Sequence, residues 1–265
     1  MDKTMDLSER LRVAEALARQ AASLALGLRP SANSEAITLK GAQDWLTEAD
    51  GAVERFLSDE LAKHFPEDGF QGEEAGMHRE GTLRWVVDPI DGTSNFAHGG
   101  QRWCVSVGLI TEGRAVLGAV VSPELNQCFL ASEGCGATLN GKPIRAAATR
   151  EMGRAIVECG WSPRVANPDY HALCQAVMGA GAMMRSGGSG TLGLCDVACG
   201  TLDAYVERHI NLWDVAAALC VLSEAGARVS PFMADGGAER GGPILAAAPG
   251  ISEALAGIAG MRLAA

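Results

Sequence analysis

The chain has 265 residues, 48% of them hydrophobic, and its 32 acidic against 22 basic side chains give a net charge of -10. That field argues against nucleic acid as a main partner, and no apolar run reaches the ~20 residues a bilayer span requires. The length fits one large α/β domain or two intimately packed halves, enough to bury a sizeable core.

Leu7, Leu11, Ala14, Leu17, Ala18, Ala21 and Leu24 recur at helical spacing and predict one amphipathic helix over 6–27. The N-terminus runs into it without the apolar core of a signal peptide. Residues 29–46 carry Pro30, Ser31, Asn33 and Gly41 and read as loop or short strands. Thr47 then caps a second helix with Asp50 at the capping-box position, and Val53, Phe56, Leu57, Leu61 and Ala62 form its inner face. Pro66 and Gly69 end it. Strand patterns follow at 83–88, 103–110, 115–121 and 127–131, with Glu112-Gly113 as an antiparallel hairpin turn. Asn140-Gly141-Lys142-Pro143 separates an N-terminal α+β subdomain, 1–142, from a C-terminal α/β subdomain, 143–265. The second part alternates: strand 155–159, helix 170–178, strand 182–185, helix 192–198, strand 204–207, helix 213–225, strand 243–248 and helix 251–259. Such alternation argues for an α/β layer. The eight cysteines form no C-x-x-C pair and most sit in apolar segments, which fits free thiols in a reduced cytoplasm.

The most informative stretch is Asp88-Pro89-Ile90-Asp91-Gly92-Thr93, entered through Leu83-Arg84-Trp85-Val86-Val87. Pro89 has no N–H and cannot continue a central strand, so the chain is expected to leave the sheet there. Asp88 and Asp91 then sit at a strand's carboxyl end, where open α/β sheets keep ligands. The Ile90 carbonyl lies between them as a third oxygen donor, and Thr93 can hold a water. Taken alone, Asp91-Gly92 is also a hairpin signal. Glu73-Glu74 alone reads as a solvated surface pair, Asp214 as a helix cap, and Asp50 as the capping-box partner of Thr47. Brought together, these carboxylates repel strongly unless protonated or bridged by cations. Mg²⁺ suits such oxygen donors, and the scattered His64, His78, His98, His171 and His209 offer no zinc cluster. Gly187-Gly188-Ser189-Gly190 lacks the P-loop lysine and spacing, and reads as a close-packed turn into the next helix.

The ordered set Thr47-Glu48-Ala49-Asp50, Gly72-Glu73-Glu74, Trp85-Val86-Val87-Asp88-Pro89-Ile90-Asp91-Gly92-Thr93-Ser94-Asn95-Phe96, Asp203-Ala204-Tyr205-Val206-Glu207 and Trp213-Asp214-Val215-Ala216-Ala217 resembles the inositol monophosphatase family. The resemblance implies a mixed α/β fold layered αβαβα, a Mg²⁺-dependent phosphomonoesterase, and a homodimer. Glu73, Asp88 and the Ile90 carbonyl would hold one Mg²⁺, and Asp88, Asp91 and Asp214 a second. Asp50, Thr93 and Glu73 would form the catalytic set, with Thr93 orienting a water and Asp50 taking its proton. The Gly92 and Thr93 N–H groups would hold phosphate oxygens beside Asp91, while Ser189, Gly190 and Glu207 would contact the alcohol. Glu74 would support from behind. Lys40 and Asp44 fall where the family has a mobile loop recruiting a weaker third metal, here with its own Ala42-Gln43-Asp44-Trp45. The implied substrate is inositol 1-phosphate or a similar small polyol phosphate, with histidinol phosphate as the alternative. Sugar bisphosphates and 3′-phosphoadenosine phosphate are more distant, because no basic cluster is evident for a second phosphate. Some relatives bind transcription machinery, so an added binding role stays open.

Overall fold

The computed structural model describes residues 6–29, 37–41 and 44–264, apart from the side chains of 37–41, 44–46 and 78. Ala42, Gln43 and the side chains of Lys40 and Asp44 therefore lie outside the described residues. Helix α1 (Leu7–Leu28) starts at Asp6, whose carboxylate accepts the Ser8 and Glu9 N–H groups at 3.0 and 3.1 Å. Strands β1 (Ile37–Gly41) and β2 (Asp44–Thr47) pair antiparallel and lead into α2 (Glu48–His64).

An eight-stranded sheet follows: β3 (Gly69–Gly72), β4 (Gly76–Arg79), β5 (Arg84–Asp91), β6 (Cys104–Thr111), β7 (Arg114–Ser122), β8 (Gln127–Ser132), β9 (Ala137–Leu139) and β10 (Lys142–Pro143). Their spatial order is β10-β9-β8-β7-β6-β5-β3-β4, antiparallel except where β3 lies parallel to β5. The β6–β7 hairpin turns at Glu112-Gly113 as expected. Asn140 and Gly141, with φ of 51° and 74°, make the β9–β10 hairpin, the backbone an Asn-Gly turn favours.

A short helix α3 (Thr93–Ala97) projects from the end of β5. The second sheet holds β11 (Ile156–Cys159), β12 (Met183–Arg185), β13 (Ala204–Ile210), β14 (Arg228–Val229) and β15 (Gly242–Ala247), in the order β12-β11-β13-β15-β14. With it run α4 (Asn167–Gly179), α5 (Gly190–Ala198), α6 (Leu212–Glu224), α7 (Gly237–Arg240) and α8 (Ser252–Ala259).

Strand alternation builds the layers, since successive side chains face opposite sides of a sheet. Trp85 and Val87 point into a core with α1 and α2, while Val86 points into a core with α5 and α6. Tyr205 and Ala246 meet that same middle core from the second sheet, and Val206 and Ala247 pack outward against α4 and α8. The result is helices, sheet, helices, sheet, helices, the αβαβα arrangement expected.

One expectation is corrected. The chain does not leave the sheet at Pro89, because β5 runs on to Asp91. Asp88 lies opposite Ser106 and Asp91 opposite Cys104, so three steps on β5 face two on β6. That is a β-bulge, the place where a central strand tolerates a residue without an N–H.

Candidate active site

The bulge brings both carboxylates of β5 into one cluster, with Asp91 lining a cavity. Helix α6 brings a third: Asp214 is the third residue of its first turn, and its Oδ2 accepts the Asn211 N–H at 2.9 Å. Asp88, Asp91 and Asp214 each offer a carboxylate oxygen, and these lie within 4.8 Å of one another. Asp88 and Asp91 are buried and Asp214 half-buried. Each is pushed up from the usual carboxylate range, first by burial. For Asp88 the charges of Glu73, Asp91 and Asp214 push the same way, and Asp214 reaches about 7.

Among the described residues, no lysine or arginine forms an ion pair with any of the three. Buried anions this close need compensating positive charge. The donor set, carboxylate and carbonyl oxygens without sulfur or imidazole, fits a hard divalent cation.

Smaller contacts hold the acids in place. Asp88 Oδ1 accepts the Ile90 N–H at 3.0 Å, closing the bulge. Asp91 Oδ2 accepts the Thr191 N–H at 3.0 Å and the Ser189 hydroxyl, which ties β5 to the start of α5. Thr191 in turn donates its hydroxyl to the Asp214 carbonyl at 2.6 Å. Gly92 turns with φ of 88°, and a Cβ there would meet the Arg102 carbonyl at 2.8 Å, so only glycine fits.

The Thr93 hydroxyl donates to the Ile90 carbonyl at 2.9 Å and stands 3.5 Å from Asp50 Oδ1. The nearer acceptor is thus Ile90, and the contact with Asp50 is at its long limit. The other Asp50 oxygen accepts from the Thr47 N–H at 2.8 Å and the Thr47 hydroxyl at 2.6 Å. Burial lifts Asp50 to about 6, with the Glu74 charge adding to the shift.

Glu73 lines the same cavity as Asp91 and Asp214. It rides on a turn that Glu54 holds, since that carboxylate accepts the Glu74 and Ala75 N–H groups at 2.8 and 2.9 Å. A Cβ on Gly72 would meet the Glu54 carboxylate at 2.2 Å, so the glycine lets the turn close onto it. The sequence reading missed Glu54, although a glutamate beside Val53 on the inner face of α2 was a visible signal.

The cavity has a volume of about 330 Å³. Glu207, Tyr205, Trp161, Arg164 and His209 line it as well, together with Ser189 and Gly190. Glu207 is buried inside β13, accepts the Tyr205 hydroxyl, and is lifted by burial to about 8. Ser189 is the N-cap of α5, so the glycine-rich run is a turn into a helix, as expected. Thr191, Trp161 and Arg164 carry no local signal in the sequence, and Tyr205 stands in the Asp203–Glu207 motif without an assigned role.

The sequence matches the model of the inositol monophosphatase family over residues 6–260. An inositol-1-monophosphatase of Rhizobium meliloti is 37% identical over 195 residues, covering 72% of this chain and 73% of that protein. A Nus factor SuhB of Xylella fastidiosa is 36% identical over 195 residues, covering 73% and 71%. Among solved structures, Mycobacterium tuberculosis SuhB superposes with a TM-score of 0.81 at 33% identity, covering 97% of each chain. The extragenic suppressor protein suhB from Bartonella henselae reaches 0.87 at 27% identity, covering 95% of this chain and 98% of that one. With a nearly full-length match and an acidic cluster suited to a metal, the chain belongs to the inositol monophosphatase family and is a phosphoric monoester hydrolase.

Proposed function

We propose that the protein hydrolyses inositol 1-phosphate or a similar small polyol phosphate with the help of two Mg²⁺ ions. Glu73, Asp88 and the Ile90 carbonyl would hold one, and Asp88, Asp91 and Asp214 the other, with Asp44 as a site for a weaker third. Bound there, divalent cations supply positive charge to an anionic substrate and acidify water near neutral pH. The observation that carries the reading is three carboxylates gathered within 4.8 Å with no basic residue among the described ones ion-paired to them.

The chain's own groups do the remaining work. Gly92 and Thr93, at the start of α3, turn N–H groups toward phosphate oxygens, as helix starts do. The Thr93 hydroxyl orients the attacking water, and Asp50 takes the proton; a carboxylate lifted to about 6 is a fitting acceptor near neutral pH. Glu74 backs Asp50, and Ser189 holds Asp91 in place. Gly190 and Glu207 meet the alcohol. A Cβ at Gly190 would come within 3.3 Å of the Tyr205 hydroxyl and close that wall. Two subdomains, 1–142 and 143–265, meet at this site, in a homodimer of a reduced cytoplasm where all eight cysteines stay free.

Phosphate release from inositol, histidinol, sugar and nucleotide phosphates, with and without Mg²⁺, tests the proposal. Mg²⁺-dependent turnover of a polyol phosphate, abolished by Asp88→Asn, is expected. Turnover that persists in excess chelator would refute it. The Nus factor name of one relative supports a second, binding role. Capture of a transcription complex that survives Asp88→Asn would separate that role from catalysis.

A further inference from the structure

The acids of the alcohol-side wall already have partners. Glu158 accepts from Arg102 at 2.8 Å and from the Gly187 N–H at 3.1 Å, and Glu207 accepts the Tyr205 hydroxyl. Arg164 is different. It is the one lysine or arginine among the described residues lining this cavity, and its guanidinium makes no hydrogen bond or ion pair with any of them. Its charge nevertheless reaches both Asp214 and His209.

Arg164 also lines a neighbouring groove of about 510 Å³, together with Val165, Ala166, Asp169, Ala172 and Arg208. Arg208 donates Nη1 to the Ala259 carbonyl at 2.6 Å and lines the groove as well. The exposed Asp169 offsets part of that charge but not both arginines. Beside the passage stands Trp161, 39% exposed, with its indole N–H fixed on Asn167 Oδ1 at 3.1 Å, leaving its face as a platform for a carbon skeleton. The two arginines come from the loop after β11 and from β13. Their meeting is invisible in the sequence, which showed no basic cluster.

We infer that the preferred ester carries a second anionic group on its alcohol portion, bound between Arg164 and Arg208. This rests on the proposed phosphatase chemistry and shifts its preferred substrate from inositol 1-phosphate to a polyol phosphate with a second anionic group. The phosphate to be cleaved lies at the acidic cluster, the carbon chain crosses Trp161, and the far anion reaches the arginines. An unpaired guanidinium is well matched to carboxylate or phosphate, which it grips in a forked pair of hydrogen bonds.

The test compares kcat/KM for fructose 1,6-bisphosphate and 2-phosphoglycerate with that for inositol 1-phosphate and glycerol 2-phosphate. The wild type is expected to favour at least one doubly anionic ester. Arg164→Gln should lower the ratio of doubly to singly anionic turnover by about tenfold, the loss of one charge-assisted hydrogen bond. Arg164→Lys should restore part of it. A fall confined to the bisphosphate assigns the far group as phosphate, and one confined to 2-phosphoglycerate assigns it as carboxylate. No wild-type preference, or a ratio within twofold in Arg164→Gln, overturns the inference. Calorimetric binding of the same four esters to both proteins makes this comparison without turnover. A protein that binds them selectively but hydrolyses none would sink the phosphatase proposal while upholding this one.

Discussion

Gly118→Ala is the sharpest probe of how packing builds the acidic cluster. Gly108 and Gly118 are cross-strand partners on β6 and β7, directly beneath α6. A Cβ at Gly118 would lie 2.2 Å from the Ala217 carbonyl oxygen, and one at Gly108 would lie 2.7 Å from the Ala217 nitrogen. An ordinary carbon–oxygen contact is about 3.3 Å, so a methyl group at Gly118 must lift the helix by about 1 Å. Ala217 is nearly one turn from Asp214, and the helix start would move with it, drawing that carboxylate away from Asp88 and Asp91. Overpacking of this kind costs about 1–3 kcal/mol, or about 2–12 °C in Tm for a chain of this size. A displacement of about 1 Å at a reacting centre lowers turnover by about 10²-fold. Phosphate release, Mg²⁺ calorimetry and thermal unfolding would each register the change. Gly153→Ala, where a Cβ meets nothing within 4 Å, is the control. Wild-type Tm and turnover within twofold in Gly118→Ala would show that α6 does not rest on this glycine pair and that Asp214 is placed some other way.

Metal binding should also appear as stability. Mg²⁺ at 100 times its Kd adds about 2.7 kcal/mol, or about 5–11 °C in Tm, and Asp88→Asn should erase that shift. A Tm indifferent to Mg²⁺ and to chelator would contradict the site. For the proton acceptor, Asp50 must be ionised to act. Burial raises it to about 6, so turnover should climb from pH 5 to 7 and level off above, and bound cations would move the midpoint lower. Asp50→Asn should flatten that limb, and an unchanged pH profile in the variant would rule out its role. Thr93→Ala should lose about 10²-fold or more in turnover while keeping the Mg²⁺-induced Tm shift, which separates positioning the water from holding the metal.

What could be read in advance follows the physics of each signal. Helix α1 announced itself through a 3.6-residue apolar stripe and α2 through the capping pair Thr47 and Asp50, both local properties. Strands β3 and β4 did not, since four-residue segments rich in glycine carry no alternation and exist only through pairing with β5 and each other. Pro89 reads as a strand end because its missing N–H is local, whereas the bulge that accommodates it depends on β6. The acidic residues could be named from the order of their motifs. Their approach to 4.8 Å could not, because it depends on how far α6 settles onto the sheet.

The same logic explains why the cluster sits where it does. Three carboxylates that repel one another are a burden on the folded state, since each is held above its ordinary pKa chiefly by burial. A mobile loop would relax that repulsion by swinging its side chain into water. Here the acids are fixed instead by a bulge in a central strand and by the first turn of a buried helix, with Thr191 bonded to both Asp91 and Asp214. Neither support can yield without breaking the sheet or the middle core. The repulsion therefore persists until a proton or a cation relieves it, which suits the cluster to a hard divalent metal.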